Sequence, residues 1–191
     1  MKLVLASTSA YRRALLDRLG IPFSVAKPNV DEAALPGEVP AALALRLAEA
    51  KARAVALEHP CSLIIGSDQV ALLDTEILGK PGNHANALVQ LRKVSGRTVS
   101  FLTAVCVYDS EKKLLLSRLV QYEVKFRNLD EATIEEYLNR DRPYDCAGSA
   151  KAEALGIALI ERMQGDDPNA LIGLPLIALV DLLHEHGVRV I

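Results

Sequence analysis

Hydrophobic and polar positions along the chain switch repeatedly between a strand-like and a helix-like period. Residues 2–6 form a short apolar run that reads as a buried strand, and Ser7-Thr8-Ser9 then supplies helix-capping chemistry. Tyr11, Ala14, Leu15 and Leu19 recur at helical spacing until Gly20, a residue suited to a helix end. A loop punctuated by Pro22, Pro28, Pro36 and Pro40 carries Asp31-Glu32. The alanine-rich stretch from Ala41 to His59 predicts a helix whose inward stripe is Leu43, Leu47, Ala50, Ala54 and Leu57. Leu63 to Leu73 reads as a strongly apolar strand interrupted by Gly66-Ser67-Asp68-Gln69.

Asp74-Thr75 should turn the chain back toward Ile77-Leu78-Gly79-Lys80-Pro81, and Asn83 caps a helix that runs to Val94 with Gly96 just beyond it. Thr98 to Tyr108 and Leu114 to Phe126 read as two long strands joined by a charged turn. Asp130 caps a further helix, Gly156 to Glu161 reads as a strand, and Gly165 to Asn169 as a turn. Pro175 suits the first position of a last helix that stops at Gly187. Helices and strands mix throughout, which predicts an α/β class with a long, twisted, mixed sheet.

Composition narrows the function classes. A chain of 191 residues, half of them hydrophobic, can build a real core as one domain, residues 1–191, with room for two lobes. The net charge of -2, with both signs interspersed, argues against a nucleic-acid partner or an anionic membrane surface. Cys61, Cys106 and Cys146 are odd in number and lack C-x-x-C spacing, so they fit neither a disulfide framework nor a zinc site and point to a reducing, cytoplasmic compartment. No run of 18 apolar residues occurs that could span a membrane, and the first apolar run is too short for a signal-peptide core. For assembly, the sequence leaves a homodimer open.

The first strand–turn–helix carries the strongest chemical signal. Ser7, Ser9, Arg12 and Arg13 place hydroxyls, backbone amides and two guanidiniums at one helix N-terminus. That end already favours anions, and arginines there oppose the helix dipole, so helix stability does not call for them. Together they suit a polyphosphate, set against the plainer reading of a serine cap with solvated arginines. Asp68 stands in an apolar strand, where an unpaired carboxylate is costly; it needs a partner, a metal or a role at the sheet's end, unless the strand breaks at Gly66 and Asp68 starts a turn. Lys51 lies on the edge of its helix's apolar stripe, either snorkelling to solvent or reaching into a cleft. Lys80 sits on the stiff Gly79-Lys80-Pro81 loop, and Glu32 is an acid on a distant loop. His184 and His186 face different ways on a helix, and Asp166-Asp167 is first of all turn chemistry.

Taken in order, Leu5-Ala6-Ser7-Thr8-Ser9 with Arg12-Arg13, Val30-Asp31-Glu32, Lys51, Gly66-Ser67-Asp68, Gly79-Lys80-Pro81, Asp145-Cys146-Ala147-Gly148-Ser149 and Gly173-Leu174-Pro175 resemble the Maf family of nucleotide pyrophosphatases across essentially the whole chain. The resemblance implies an elongated α/β fold with a cleft between two lobes, similar to inosine-triphosphate pyrophosphatases. It implies pyrophosphate release from a nucleoside triphosphate with a divalent cation, Mg2+ or Mn2+. On the matching positions it implies Asp68 as proton acceptor. It gives Ser7, Ser9, Arg12, Arg13, Lys51 and Lys80 as phosphate contacts, and Glu32 with Asp68 as acids near the metal.

Positions matching Tyr11, Gln69 and Glu153 are where subgroups of the family differ in substrate. The chain is most similar to the subgroup acting on 7-methyl-GTP, through Gly66-Ser67-Asp68-Gln69 and Lys151-Ala152-Glu153. The base of that nucleotide is cationic, so an aromatic such as Tyr11 gains a cation–π contact, and Glu153 offers acceptors for the guanine edge. The subgroup usually carries tryptophan where Tyr11 stands. The same reaction on dTTP or UTP, and a non-catalytic nucleotide-binding regulator of cell division, are the rival expectations. A pure binder gains little from a carboxylate aimed at a polyphosphate, and a P-loop reading fails for lack of G-x-x-x-x-G-K-[ST].

Overall fold

A computed structural model describes residues 2–191. In chain order the elements are β1 (Lys2–Ala6), α1 (Ala10–Asp17), β2 (Ser24–Ala26), α2 (Pro40–Ala54), β3 (Ser62–Leu73), β4 (Glu76–Leu78), α3 (His84–Val94), β5 (Thr98–Asp109), β6 (Leu114–Phe126), α4 (Glu131–Asp141), β7 (Ile160–Gln164), α5 (Pro168–Ile172) and α6 (Leu176–Glu185), with short 3-10 helices at Ala56–Glu58, Ala147–Ser149 and Leu155–Leu159. The strands hydrogen-bond in the order β2-β1-β3-β5-β6-β7, with β4 on β3. β1 runs parallel to both β2 and β3, whereas β4 is antiparallel to β3 and β7 to β6, so the sheet is mixed, as the alternation of elements predicts.

Contacts divide the chain into two compact units. The first comprises Met1–Gln69, Thr103–Val120 and Asp167–Ile191; the second comprises Val70–Leu102 and Gln121–Asp166. In the first unit, side-chain alternation along the strands builds two faces. Leu3 and Leu5, Leu63 and Ile65, and Val105 and Val107 share one core with Leu15 and Leu16 of α1 and Leu179, Leu182 and Leu183 of α6. The opposite face meets α2: the Cys106 thiol donates to the Ala48 carbonyl at 3.3 Å, and a Cβ on Gly66 would stand 2.1 Å from that same oxygen. Only glycine lets the α2 backbone lie this close to β3. A strand with helices on both faces must be apolar nearly throughout, which is why β3 reads as a continuous run rather than an alternation.

In the second unit, Ala87, Leu91 and Val94 of α3 and Ile134, Tyr137 and Leu138 of α4 are buried, and the two helices contact each other. Caps follow the sequence here. Asn83 accepts from the Asn86 N–H and Asp130 from the Thr133 N–H, each satisfying an otherwise unpaired amide of the first turn.

Four expectations need correction, and one strand lacks any sequence signal. β3 is unbroken through Gly66-Ser67-Asp68-Gln69, because helices on both sides satisfy its polar groups. The buried stripe of α2 is Leu43, Ala44, Leu47, Ala48, Lys51 and Ala52; Ala54 is exposed and Leu57 is 95% exposed in the 3-10 helix beyond the end of α2. Choosing apolar letters alone passed over Lys51 and shifted the stripe. β2 was not foreseen, since three residues flanked by prolines show no period. The stretch from Gly156 to Glu161 is mostly 3-10 helix, and the strand there starts at Ile160. Beyond Gly165, Asp167-Pro168 opens a helix: Asp167 is the N-cap, accepting from the Asn169 N–H at 2.9 Å and, through its other oxygen, from the Ile177 N–H at 2.8 Å.

Candidate functional site

β1 delivers the chain to the N-terminus of α1. Ser7, 5% exposed, accepts from the Ser9 N–H at 3.1 Å, and Ser9 caps the helix by accepting from the Arg12 N–H at 3.4 Å. Both hydroxyls therefore hold the turn that presents Arg12 and Arg13. Arg12 is half-buried and donates its Nε to the Gly173 carbonyl at 2.8 Å. None of the described residues takes a hydrogen bond from its two terminal nitrogens. Burial pulls its guanidinium below the ordinary value, and the nearby carboxylates of Asp68 and Glu32 act in the opposite direction. Arg13 is exposed and forms no ion pair among the described residues, and Tyr11, in the first turn, is half-buried.

β3 supplies the next layer by alternation. Gly66 and Asp68 point to the α2 face, Ser67 and Gln69 to the face of α5. Lys51, one turn beyond the Ala48 contact, reaches Asp68 Oδ1 at 2.5 Å and Glu32 Oε1 at 2.6 Å. Lys51 is 6% and Asp68 8% exposed, whereas the Glu32 side chain is 60% exposed. The close approach that Gly66 permits is what brings a buried ammonium onto a buried carboxylate. On the other face the Ser67 hydroxyl lies 2.7 Å from the Ala104 carbonyl and 2.9 Å from that of Gly173, the same oxygen that holds Arg12. Gln69 donates its amide to Thr103 Oγ1, the Ala170 carbonyl and the Leu171 carbonyl at 2.9, 2.8 and 3.1 Å, so its nitrogen is engaged with α5.

One unit thus gathers Ser7, Ser9, Arg12, Lys51, Asp68 and Glu32, residues spread from position 7 to position 68 of the sequence. Sequence reading missed the Gly173 carbonyl and Ser67 as the bonds that fix Arg12 against β3. A backbone acceptor has no signature in a sequence, and only the Gly173-Leu174-Pro175 motif hinted at that corner. Among the described residues no group of three His, Cys, Asp or Glu side chains could hold a metal by itself. Asp68 and Glu32 converge on one ammonium, and hard oxygen donors of this kind suit a cation such as Mg2+ once other oxygen ligands complete its shell.

Lys80 and Glu153 belong to the second unit. Lys80 is exposed on a loop whose neighbours are tied down: the Gly79 carbonyl accepts from Gln90 Nε2 and the Pro81 carbonyl from Asn86 Nδ2, both at 2.9 Å. Glu153 is exposed in the turn after Lys151, whose N–H donates to the Tyr137 hydroxyl at 3.0 Å. A cavity of about 150 Å³ in this unit, lined by Thr133, Tyr137, Arg140 and Leu155 among others, contains none of the sequence-predicted site residues.

The family model described as Maf-like protein matches residues 2–186. The chain is 56% identical over 190 residues to the 7-methyl-GTP pyrophosphatase of Nitrosospira multiformis, covering 100% of this chain and 96% of that protein. It is 58% identical over 189 residues to the 7-methyl-GTP pyrophosphatase of Methylobacillus flagellatus, covering 99% and 98%. It is 54% identical over 189 residues to that of Colwellia psychrerythraea, covering 99% and 94%. Among solved structures, the Staphylococcus aureus Ham1 protein is similar at a TM-score of 0.47 and 15% identity, over 67% of this chain and 73% of that chain.

Proposed function

The chain belongs to the Maf family, and from that premise we propose that it hydrolyses the α–β phosphoanhydride bond of a nucleoside triphosphate, 7-methyl-GTP, to the monophosphate and pyrophosphate. The observation that carries the reading is the pairing of buried Asp68 with Lys51 at 2.5 Å beside the half-buried Arg12. A carboxylate that only balanced Lys51 would not need to share it with Glu32, nor to stand beside a second cation whose terminal nitrogens no described residue takes.

Charge arithmetic supports a divalent cation. Arg12 and Lys51 are balanced by Asp68 and Glu32, so this cluster is close to neutral, and a triphosphate brings about four negative charges. Arg13 and Lys80 can offset part of that excess. Asp68 and Glu32 would hold the cation, whose chemistry here is to polarise phosphate oxygens and neutralise charge on the leaving pyrophosphate.

The chain's own residues then divide the work. Arg12, fixed by Gly173 and Ser67, presents its planar fork to phosphate oxygens, and Ser7 and Ser9 keep the helix turn in shape. Asp68 accepts a proton from the attacking water, and Lys51, 2.5 Å away, holds that carboxylate in place. Lys51 meets the charge that builds on the departing group, and Lys80 contacts phosphate oxygens of the bound nucleotide. Tyr11 and Glu153 select the cationic base, and Gln69 holds α5 through its amide nitrogen.

The experiment is a nucleotide panel with phosphate and pyrophosphate assayed separately. The kcat/KM for 7-methyl-GTP should exceed that for GTP by roughly fivefold or more, since a partly desolvated cation–π contact is worth about 1 kcal/mol. Glu153→Gln should erode that preference and leave the cleaved bond unchanged. Equal activity on both nucleotides, or preference for dTTP or UTP, would remove the base assignment. Release of inorganic phosphate alone would remove the reaction.

A further inference from the structure

Gln90 of α3 joins two loops of the second unit through opposite ends of one amide. Its Nε2 donates to the Gly79 carbonyl at 2.9 Å, and its Oε1 accepts from the Ser149 hydroxyl at 2.6 Å. The carbonyl of Gly79 can only accept, so the nitrogen must face it and the oxygen must face Ser149. The amide orientation is therefore fixed by the network.

Both loops carry residues already given roles. Gly79 precedes Lys80, and the rest of that loop is held by Asn86 on Pro81 and by the Gly82 N–H on the Tyr144 carbonyl at 2.9 Å. Ser149 opens the path to Glu153. It is fully buried and, with Gly148, forms two successive left-handed residues, at φ 76° for Gly148 and 57° for Ser149. A left-handed serine is strained, and such backbone persists only where its surroundings over-determine it. Here the constraint comes from the Ser149 N–H on the Cys146 carbonyl at 3.2 Å, from the Gln90 bond on the side chain, and from the Tyr137 hydroxyl on the Lys151 N–H. Nothing in the packing of α3 requires this arrangement: Gln90 is partly exposed, while Ala87, Leu91 and Val94 fill the buried face.

We propose that Gln90 is a positioning residue that ties the Lys80 loop to the Glu153 loop, so that the phosphate contact and the choice of base are set by one side chain. The inference rests on the roles given above to Lys80 and Glu153.

Gln90→Glu tests it, because the carboxylate keeps the acceptor for Ser149 and the volume, but turns the Gly79 contact into oxygen against oxygen. The KM for 7-methyl-GTP should rise roughly tenfold with kcat changed far less, as expected when a cationic contact moves without being lost. In a Lys80→Ala background the same substitution should change KM less than about twofold, because the residue it acts through is gone. Ser149→Ala, a milder change, should instead lower the 7-methyl-GTP over GTP preference toward that of Glu153→Gln. Equal effects of Gln90→Glu with and without Lys80, or unchanged KM and base preference with only a lowered melting temperature, would overturn the proposal. A wild-type chain that cleaves no nucleotide would instead overturn the underlying reading, and the two failures are told apart before any variant is made.

Discussion

Asp68→Asn is expected to lose turnover by about 10²–10⁴-fold while nucleotide binding stays within a small factor of wild type. The amide keeps the shape of the carboxylate, and its oxygen can still accept from Lys51 Nζ, now 2.5 Å from Oδ1. What disappears is the capacity to take a proton and one of the two negative charges facing the ammonium. Burial sharpens the effect, because at 8% exposure water has little room to stand in for the lost base. Single-turnover kinetics beside calorimetric binding separates the two quantities. Near-wild-type turnover in the variant would take Asp68 out of the mechanism and return it to the role of a counter-ion for Lys51.

The largest stability effect should come from Lys51→Met. The methionine fills the same stripe of α2 between Leu47 and Ala52, but it leaves Asp68 as a buried carboxylate without its ammonium. Breaking a buried pair from one side costs about 3–5 kcal/mol, and the lower end applies here because Glu32 can turn to water. Denaturant unfolding should show a lower midpoint at unchanged slope. Added Mg2+ should stabilise the variant more than the wild type, since the two carboxylates then lack their resident cation and binding to the folded state raises stability by mass action. A variant as stable as wild type, with no added response to Mg2+, would mean that the pair is not buried and that the carboxylates do not form a cation site.

Sequence patterning reached the elements whose signals are local. The caps at Ser9, Asn83 and Asp130 and the long strands β5 and β6 follow from residue types at fixed offsets, and the structure places them there. What escaped was set by contacts between distant segments. The polar run Gly66-Ser67-Asp68-Gln69 looks like a break in isolation; it is continuous strand because α2 lies on one side and α5 on the other, and neither neighbour is visible in β3's own sequence. Lys51 read as a stripe edge for the same reason, since the carboxylates that make its burial tolerable lie 17 and 19 positions away. The ordered motifs pick out Arg12, Lys51, Asp68 and Glu32, which the fold brings into one unit, but the bonds that hold this corner, Arg12 and Ser67 on the Gly173 carbonyl, pass through a backbone atom that every residue type possesses. Asp167-Pro168 carried a helix start in plain view, and turn composition outweighed it.

The central claim is that a water molecule activated beside Asp68 attacks the α-phosphorus of a nucleoside triphosphate. Hydrolysis of 7-methyl-GTP in water labelled with heavy oxygen, followed by mass analysis of both products, tests it most directly. The 7-methyl-GMP should carry one heavy oxygen and the pyrophosphate none. Label in the pyrophosphate, or in free phosphate beside a nucleoside diphosphate, would place the attack on another phosphorus and contradict it.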